Sequence, residues 1–158
     1  STKLAPVPAI LVGTGGNGFK NNLITLAWAG VVNSEPPMLS ISVRPGRYSY
    51  EALEKTGEFT VNIPLDEYDP KIIGYCGKYS GRDCDKIADL GLVLEEPEKI
   101  SVPGIRQLPL TLECKVLFRN VQDESSLPEP LRSRYYPGEP ADFHIAYYGE
   151  IVSAYKIV

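Results

Sequence analysis

The stretch Val12–Gly18 reads VGTGGNG, and the meaning of its glycines decides the fold. Gly13, Gly15 and Gly18 fall on the spacing G-x-G-x-x-G, and the apolar run Val7–Val12 leads into it. A dinucleotide-binding fold needs the third glycine to open a helix whose N-terminal amides hold a pyrophosphate. The next residues are Phe19-Lys20-Asn21-Asn22-Leu23-Ile24-Thr25-Leu26, where two adjacent Asn and a β-branched pair make poor first helical turns. Glu35 stands at the distance of a ribose-binding acid, but Pro36 and Pro37 come directly after it. The intervening chain is too short for both a helix and a strand. Ala9–Val12 and Leu23–Trp28 read instead as two β-type runs flanking a Gly/Asn turn. They predict an antiparallel hairpin whose glycines supply positive φ.

The rest of the chain agrees with strands. Met38–Val43, Phe59–Ile63, Leu110–Phe118 and Phe143–Ile157 are rich in Val, Ile, Thr or Tyr and are bounded by turn residues. Thr111–Val116 alternates polar and apolar, as a strand with one face in the core does. Three short helices are predicted between strands. They are Tyr50–Thr56 with Ser49 as N-cap and Gly57 past its end, Pro70–Tyr75 after Asp69, and Asp83–Leu90 ending at Gly91. The 14 prolines and 14 glycines favour many short elements. The expected class is mainly β, a β-barrel with peripheral helices, rather than a βαβ alternation. Gln122–Pro140, with its prolines and mixed charges, reads as a solvated connection, a disordered stretch, a lid or a subunit contact.

At 158 residues the expectation is a single domain spanning 1–158. With 43% hydrophobic and 23% charged residues the composition is that of a globular protein. No apolar run reaches bilayer length and no signal-type segment opens the chain, so a cytoplasmic protein without membrane contact is expected. A net charge of −4 argues against nucleic acid but is compatible with a local cationic pocket for one phosphate. Cys76, Cys84 and Cys114 form no C-x-x-C and there is one His, so reduced cysteines and no metal site are expected.

The chemistry concentrates where the glycines end. Asn22–Gly30 and Pro36–Val43 read as a strand, a turn and a second strand, then the basic turn Arg44-Pro45-Gly46-Arg47-Tyr48-Ser49. Arg47 and Ser49 beside the first amides of a helix suit a single phosphate. Ala27, Ala29 and Gly30 are small enough to let a flat ligand approach the backbone. Taken singly, Arg47 reads equally as a solvated arginine and Ser49 as an ordinary cap.

A series of motifs runs in order along nearly the whole chain. They are N-x-x-T-x-A-W at Asn22–Trp28, PP followed by S-I at Pro36–Ile41, R-x-S-Y-E at Arg47–Glu51, and T-G-E-F-x-V-N at Thr56–Asn62. Y-C-G-x-x-S-G-R-D at Tyr75–Asp83 with Asp85-Lys86, L-E-C at Leu112–Cys114 and G-E-I-V at Gly149–Val152 complete the set. In this the chain resembles the flavin reductase-like, FMN-binding split-barrel family, which includes flavoredoxins. The resemblance implies non-covalent FMN, with Asn22, Thr25, Leu26, Ala27 and Trp28 on the strand against the isoalloxazine. It implies that Ser42, Arg44, Arg47 and Ser49 hold the phosphate, and that Ser80 and Lys86 of Tyr75–Lys86 contribute. Cys76 and Ser80 read equally as packing and capping residues. The resemblance further implies a homodimer with the flavin near the subunit interface.

His144, the sole histidine, lies in Asp142-Phe143-His144, five residues before Gly149-Glu150-Ile151. The arrangement resembles the D-H pattern of short-chain flavin reductases, where the histidine lies by the nicotinamide or flavin, although Phe143 intervenes here. It is the candidate catalytic residue, beside the plain reading of a structural histidine. The expected activity is a flavin reductase, in which NAD(P)H reduces bound flavin and electrons pass to an acceptor. The alternatives are an electron carrier reduced by a protein partner, and an FMN-binding protein without turnover.

Overall fold

The computed structural model describes residues 9–65 and 67–158; Val7 and Pro8 of the opening apolar run lie outside them. Strands β1 (Ile10–Gly16) and β2 (Phe19–Leu26) pair antiparallel, with Gly16 opposite Phe19. Between them Asn17 and Gly18 carry φ of 48° and 88°. Positive φ at both central residues is the turn that matches the twist of a hairpin, and Asn-Gly is its preferred pair. The VGTGGNG glycines serve a hairpin, as the sequence predicts.

The remaining strands are β3 (Ala29–Ser34), β4 (Pro37–Val43), β5 (Glu58–Ile63), β6 (Leu94–Glu95), β7 (Gly104–Ile105), β8 (Leu110–Val121) and β9 (Ile145–Lys156). Seven of the nine form one antiparallel sheet in the order β2-β1-β5-β8-β9-β4-β3, while β6 and β7 pair separately. Leu26 near one end of that order packs in the same core as Leu39 and Ile41 near the other, together with Val12, Phe59 and Tyr147. Residues from distant strands meet because the sheet is rolled around them. The result is a β-barrel with helices outside it, the class expected from the sequence.

Alternation sets what covers the outside. Val12 and Leu26 point into the barrel, whereas Leu11 and Leu23 join a second cluster with Ile72, Cys76, Ile105 and Leu108. Helices α1 (Ser49–Thr56), α2 (Pro70–Lys78) and α3 (Lys86–Asp89) lie around this hairpin. Asp69 caps α2 by accepting from Lys71 N at 2.9 Å, and Gly57 ends α1 at φ 64°.

Four expectations change. The strand predicted at Leu23–Trp28 ends at Leu26, and Ala29–Ser34 forms a separate strand paired with β4 through the loop Glu35-Pro36. Every β3 residue except Ala29 is exposed, so no alternation marks it. Ser49 is not the N-cap of α1 but its first residue, because its hydroxyl accepts instead from Asn22 Nδ2 at 2.9 Å. The helix predicted at Asp83–Leu90 shrinks to α3, because Asp85 caps it by accepting from Ile87 N and Ala88 N. Segment 122–140 is not a plain connection: it holds a 3-10 turn (Glu124–Ser126) and helix α4 (Glu129–Tyr135). Its prolines Pro128 and Pro130 sit at the start of α4, where a missing N–H costs nothing.

Candidate functional site

Three pieces of chain converge beside β2. Gly77 near the end of α2 comes so close that a Cβ there would lie 3.3 Å from Thr25 Cβ, and Thr25 Oγ1 donates to Ile73 O at 2.7 Å. Gly81 approaches the start of α1, where a Cβ would stand 2.4 Å from Tyr48 Cδ1 and 2.5 Å from Asn22 Oδ1. Lys20 Nζ donates to Gly81 O and Cys84 O, and Arg82 Nη1 donates to Gly46 O at 3.0 Å. These bonds hold the 77–86 segment and the 44–49 turn as the two walls of a cleft.

The cleft has a volume of about 210 Å³, and Arg47, Lys78, Arg82 and Lys86 line it with no carboxylate among the lining residues. Lys86 decides its character. Only 4% exposed, it donates to Leu23 O at 2.7 Å and Cys76 O at 2.9 Å. No carboxylate among the described residues pairs with it, or with Arg47, Lys78 or Arg82. Burial lowers the Lys86 pKa, with the Arg47 charge acting the same way and the Cys76 and Cys84 thiols opposing. A buried ammonium is costly unless an anion or full hydrogen bonding compensates it. Two carbonyls accept from two of its three N–H groups.

A second hollow has a different lining. Trp28, Ser42, Gln122, Tyr136 and His144 line a space of about 280 Å³, and Ser42, Gln122 and His144 also border an adjoining one of about 320 Å³. Tyr136 OH and His144 Nδ1 are 2.7 Å apart. Burial lowers the His144 pKa, aided by the charges of Arg44 and Arg47 and opposed by Asp142. Arg44 stacks its guanidinium 4.6 Å from the Tyr136 ring and donates to Tyr135 O, while Gly46 N donates to Asp142 Oδ1 at 2.8 Å. Segment 135–142 is thereby latched to the turn that carries Arg47.

The candidates read from the sequence thus divide. Asn22, Arg47, Ser49, Ser80 and Lys86 border the cationic cleft, and Trp28, Ser42 and His144 border the aromatic hollow. Arg44 lies against Tyr136 of the aromatic hollow. Ala27 is exposed beside Trp28, which is itself 65% exposed. Leu26 belongs to the barrel core, Thr25 is bonded to α2, and the Ser80 hydroxyl accepts from Arg82 N. Gln122 and Tyr136 escaped sequence reading; the aromatic pair Tyr135-Tyr136 inside a polar, proline-rich segment was their only signal. Cys76 and Cys114 are buried thiols pushed up to about 11 and about 12 by burial, so they pack rather than react.

Comparison with known proteins bears on the fold and the family. A model of the "Flavin reductase like domain" covers residues 3–156. The flavoredoxin of Desulfovibrio vulgaris (Miyazaki F) is similar over 96% of this chain and 70% of that one, with TM-score 0.73 and 28% identity. The flavoredoxin of Methanosarcina acetivorans is similar over 96% and 69%, with TM-score 0.71 and 29% identity. An uncharacterized protein of Archaeoglobus fulgidus is 32% identical over 98 residues, or 62% of this chain, which spans only 55% of that relative's length. A rolled antiparallel sheet, the ordered motifs and a family match over nearly every residue agree, and the chain belongs to the flavin reductase like domain family.

Proposed function

We propose that this chain binds FMN and acts as an oxidoreductase domain. The observation that carries the reading is Lys86, a buried cation without a carboxylate partner among the described residues, in a cleft with Arg47 and no acid. Such a donor set fits a phosphate monoester, and Asn22 and Ser49 add neutral hydrogen-bonding groups. The isoalloxazine would lie along residues 26–28, where Ala27 is small and open and Trp28 offers a flat face. When bound, FMN supplies the hydride and electron exchange.

The side chains bind and orient. Arg47 and Lys86 fix the phosphate, Asn22 and Ser49 set the entry of α1 against it, and Arg82 holds the turn through Gly46 O. The Trp28 carbonyl accepts from Ser42 N at 3.0 Å, which ties the flat-ligand wall to β4. His144 presents its ring to the adjoining hollow, where a nicotinamide or another electron partner would stand.

The primary reading is an NAD(P)H-dependent flavin reductase. The likeness to two flavoredoxins favours a second one, an electron carrier reduced by a protein partner. Anaerobic mixing of the FMN-loaded protein with NADH or NADPH separates them by the bleaching of the flavin band. Bleaching by either supports the reductase; none by either, with prompt bleaching by a low-potential reductant, contradicts it. A protein that binds no FMN contradicts both.

We further propose a homodimer. The β8–β9–β4–β3 side of the sheet leaves Val31, Val32, Leu117, Phe118 and Val121 exposed, with Val31 at 90%. Apolar exposure on this scale, on the edge strand β3 and on the part of β8 past its pairing with β5, marks a surface that a partner covers.

A further inference from the structure

Two of the ordered motifs carry polar residues that the cationic cleft does not use. In T-G-E-F-x-V-N, Phe59 and Val61 face the barrel core, so Glu58, Thr60 and Asn62 face outward on β5. Around L-E-C, Leu112 and Cys114 face the core, and Thr111 and Glu113 face outward on the neighbouring β8. This outward patch is polar, yet Thr60, Asn62, Thr111 and Glu113 are fully buried. Loop 96–103, which joins β6 to β7, covers it. Glu113 accepts from two successive amides, Glu98 N at 2.6 Å and Lys99 N at 2.7 Å. Glu58 Oε2 accepts from Ser101 N at 2.8 Å and Ser101 Oγ at 2.6 Å, and Asn62 Oδ1 accepts from Ile105 N at 3.1 Å. No cation among the described residues pairs with Glu58 or Glu113, so the amide donors compensate the buried Glu113 carboxylate. A Cβ on Gly104 would stand 2.9 Å from Thr111 Oγ1, so the β6–β7 ribbon lies directly on the sheet.

The clamped loop belongs to the same piece of chain as Lys86. Lys86 opens α3, Leu92 N donates back to Ile87 O at 2.9 Å, and Arg106 N donates to Val93 O at 2.9 Å. Ile87 and Leu92 pack in one cluster with Ile105 and Leu108. Segment 86–108 is thus one folded unit, with Lys86 at its start and the clamped loop at the tip of its ribbon. We propose that Glu113 and Glu58 are positioning residues of the cationic cleft: by clamping loop 96–103 they fix segment 86–108 on the sheet and hold Lys86 in place. A unit free to shift at its tip would carry α3 with it, and Lys86 Nζ would lose its bonds to Leu23 O and Cys76 O. Neither carboxylate lines the cleft, so the effect passes through the backbone. That Lys86 meets a phosphate rests on the FMN reading; the clamp and its hold on α3 do not.

Hydrogen exchange of the ligand-free protein tests the clamp first. The Glu98 and Lys99 amides should be protected like strand amides although they lie in a loop; free exchange there in the parent overturns the clamp. Glu113→Gln keeps the side-chain shape but leaves one acceptor oxygen for two amides. It should speed exchange at Glu98 and Lys99 roughly 10- to 100-fold. The α3 amides of Asp89 and Leu90, which donate to Asp85 O and Lys86 O, should also exchange faster, while the β4 amides keep their protection. Unchanged exchange in α3 overturns the hold on Lys86.

Flavin binding tests the consequence. Glu113→Gln should lower the preference for FMN over riboflavin by roughly 2- to 30-fold, a ratio that a plain loss of stability leaves alone. With Lys86→Met already in place it should lower the ratio no further. An unchanged ratio in the single variant, or an undiminished fall in the double one, overturns the route through Lys86. If Glu113→Gln does not fold, Glu58→Gln, at the partly exposed side of the clamp, takes its place. The parent decides as well: by linkage, saturating FMN should slow exchange at Glu98 and Lys99 more than saturating riboflavin does, and equal slowing contradicts the proposal. A protein that binds no FMN sinks the cofactor reading, and α3 exchange in Glu113→Gln then judges the clamp by itself.

Discussion

At the residue scale, the proposed phosphate site rests on Arg47 and Lys86. Hydrogen bonds to charged groups contribute about 1.5–3 kcal/mol, so Arg47→Ala should weaken FMN roughly 10- to 100-fold and leave riboflavin, which has no phosphate, unchanged. Lys86 adds a pH signature. Burial lowers its pKa in the free protein, and a phosphate beside it favours the ammonium and raises it again. Between those two values FMN binding takes up a proton, so affinity falls as pH rises through that window. Calorimetry in buffers of different ionisation heat should show the uptake, and Lys86→Met should abolish it. That Arg47 and Ser49 share one cleft follows from a local pattern, a basic turn before a helix. Lys86 carried no local signal of burial, since its carbonyl partners belong to Leu23 and Cys76, far away or on another element.

At the element scale the hairpin and segment 122–140 stand at opposite ends of legibility. Asn17-Gly18 between two apolar runs is a local signal, and it suffices for the hairpin. A Cβ on Gly16 would stand 2.3 Å from Ser101 Oγ and 2.7 Å from Ser101 O, at a φ of 72°. Ser101 is itself held by Glu58, through N at 2.8 Å and Oγ at 2.6 Å, so it yields little. Gly16→Ala should therefore cost about 2–3 kcal/mol, whereas Gly18→Ala, at φ 88° with open space, should cost about 1 kcal/mol. Denaturant melts of the two variants measure the difference. Segment 122–140 was opaque because prolines at a helix start look like prolines in a loop. Its order depends on Arg132, so Arg132→Ala should speed amide exchange in 124–139 while the β8 and β9 amides keep their protection.

At the scale of the whole molecule, the strand runs and their turn residues made the barrel class legible, but not how the sheet rolls. No periodicity reports that Leu26 and Ile41 share a core, or that residues 22, 47 and 86 meet at one cleft. The exposed β3 strand was missed because its apolar residues face no core of this chain, which leaves no alternation to read. Val31→Asp should leave the fold intact and reduce the sedimenting mass from about twice 17.4 kDa to 17.4 kDa. The central claim is that this barrel grips FMN through a phosphate at Arg47 and Lys86, and side-by-side titration with FMN and riboflavin tests it most directly. The parent protein should prefer FMN by at least about tenfold, and Arg47→Ala should remove most of that preference. Equal affinity for the two flavins in the parent, or an undiminished preference in the variant, would contradict it.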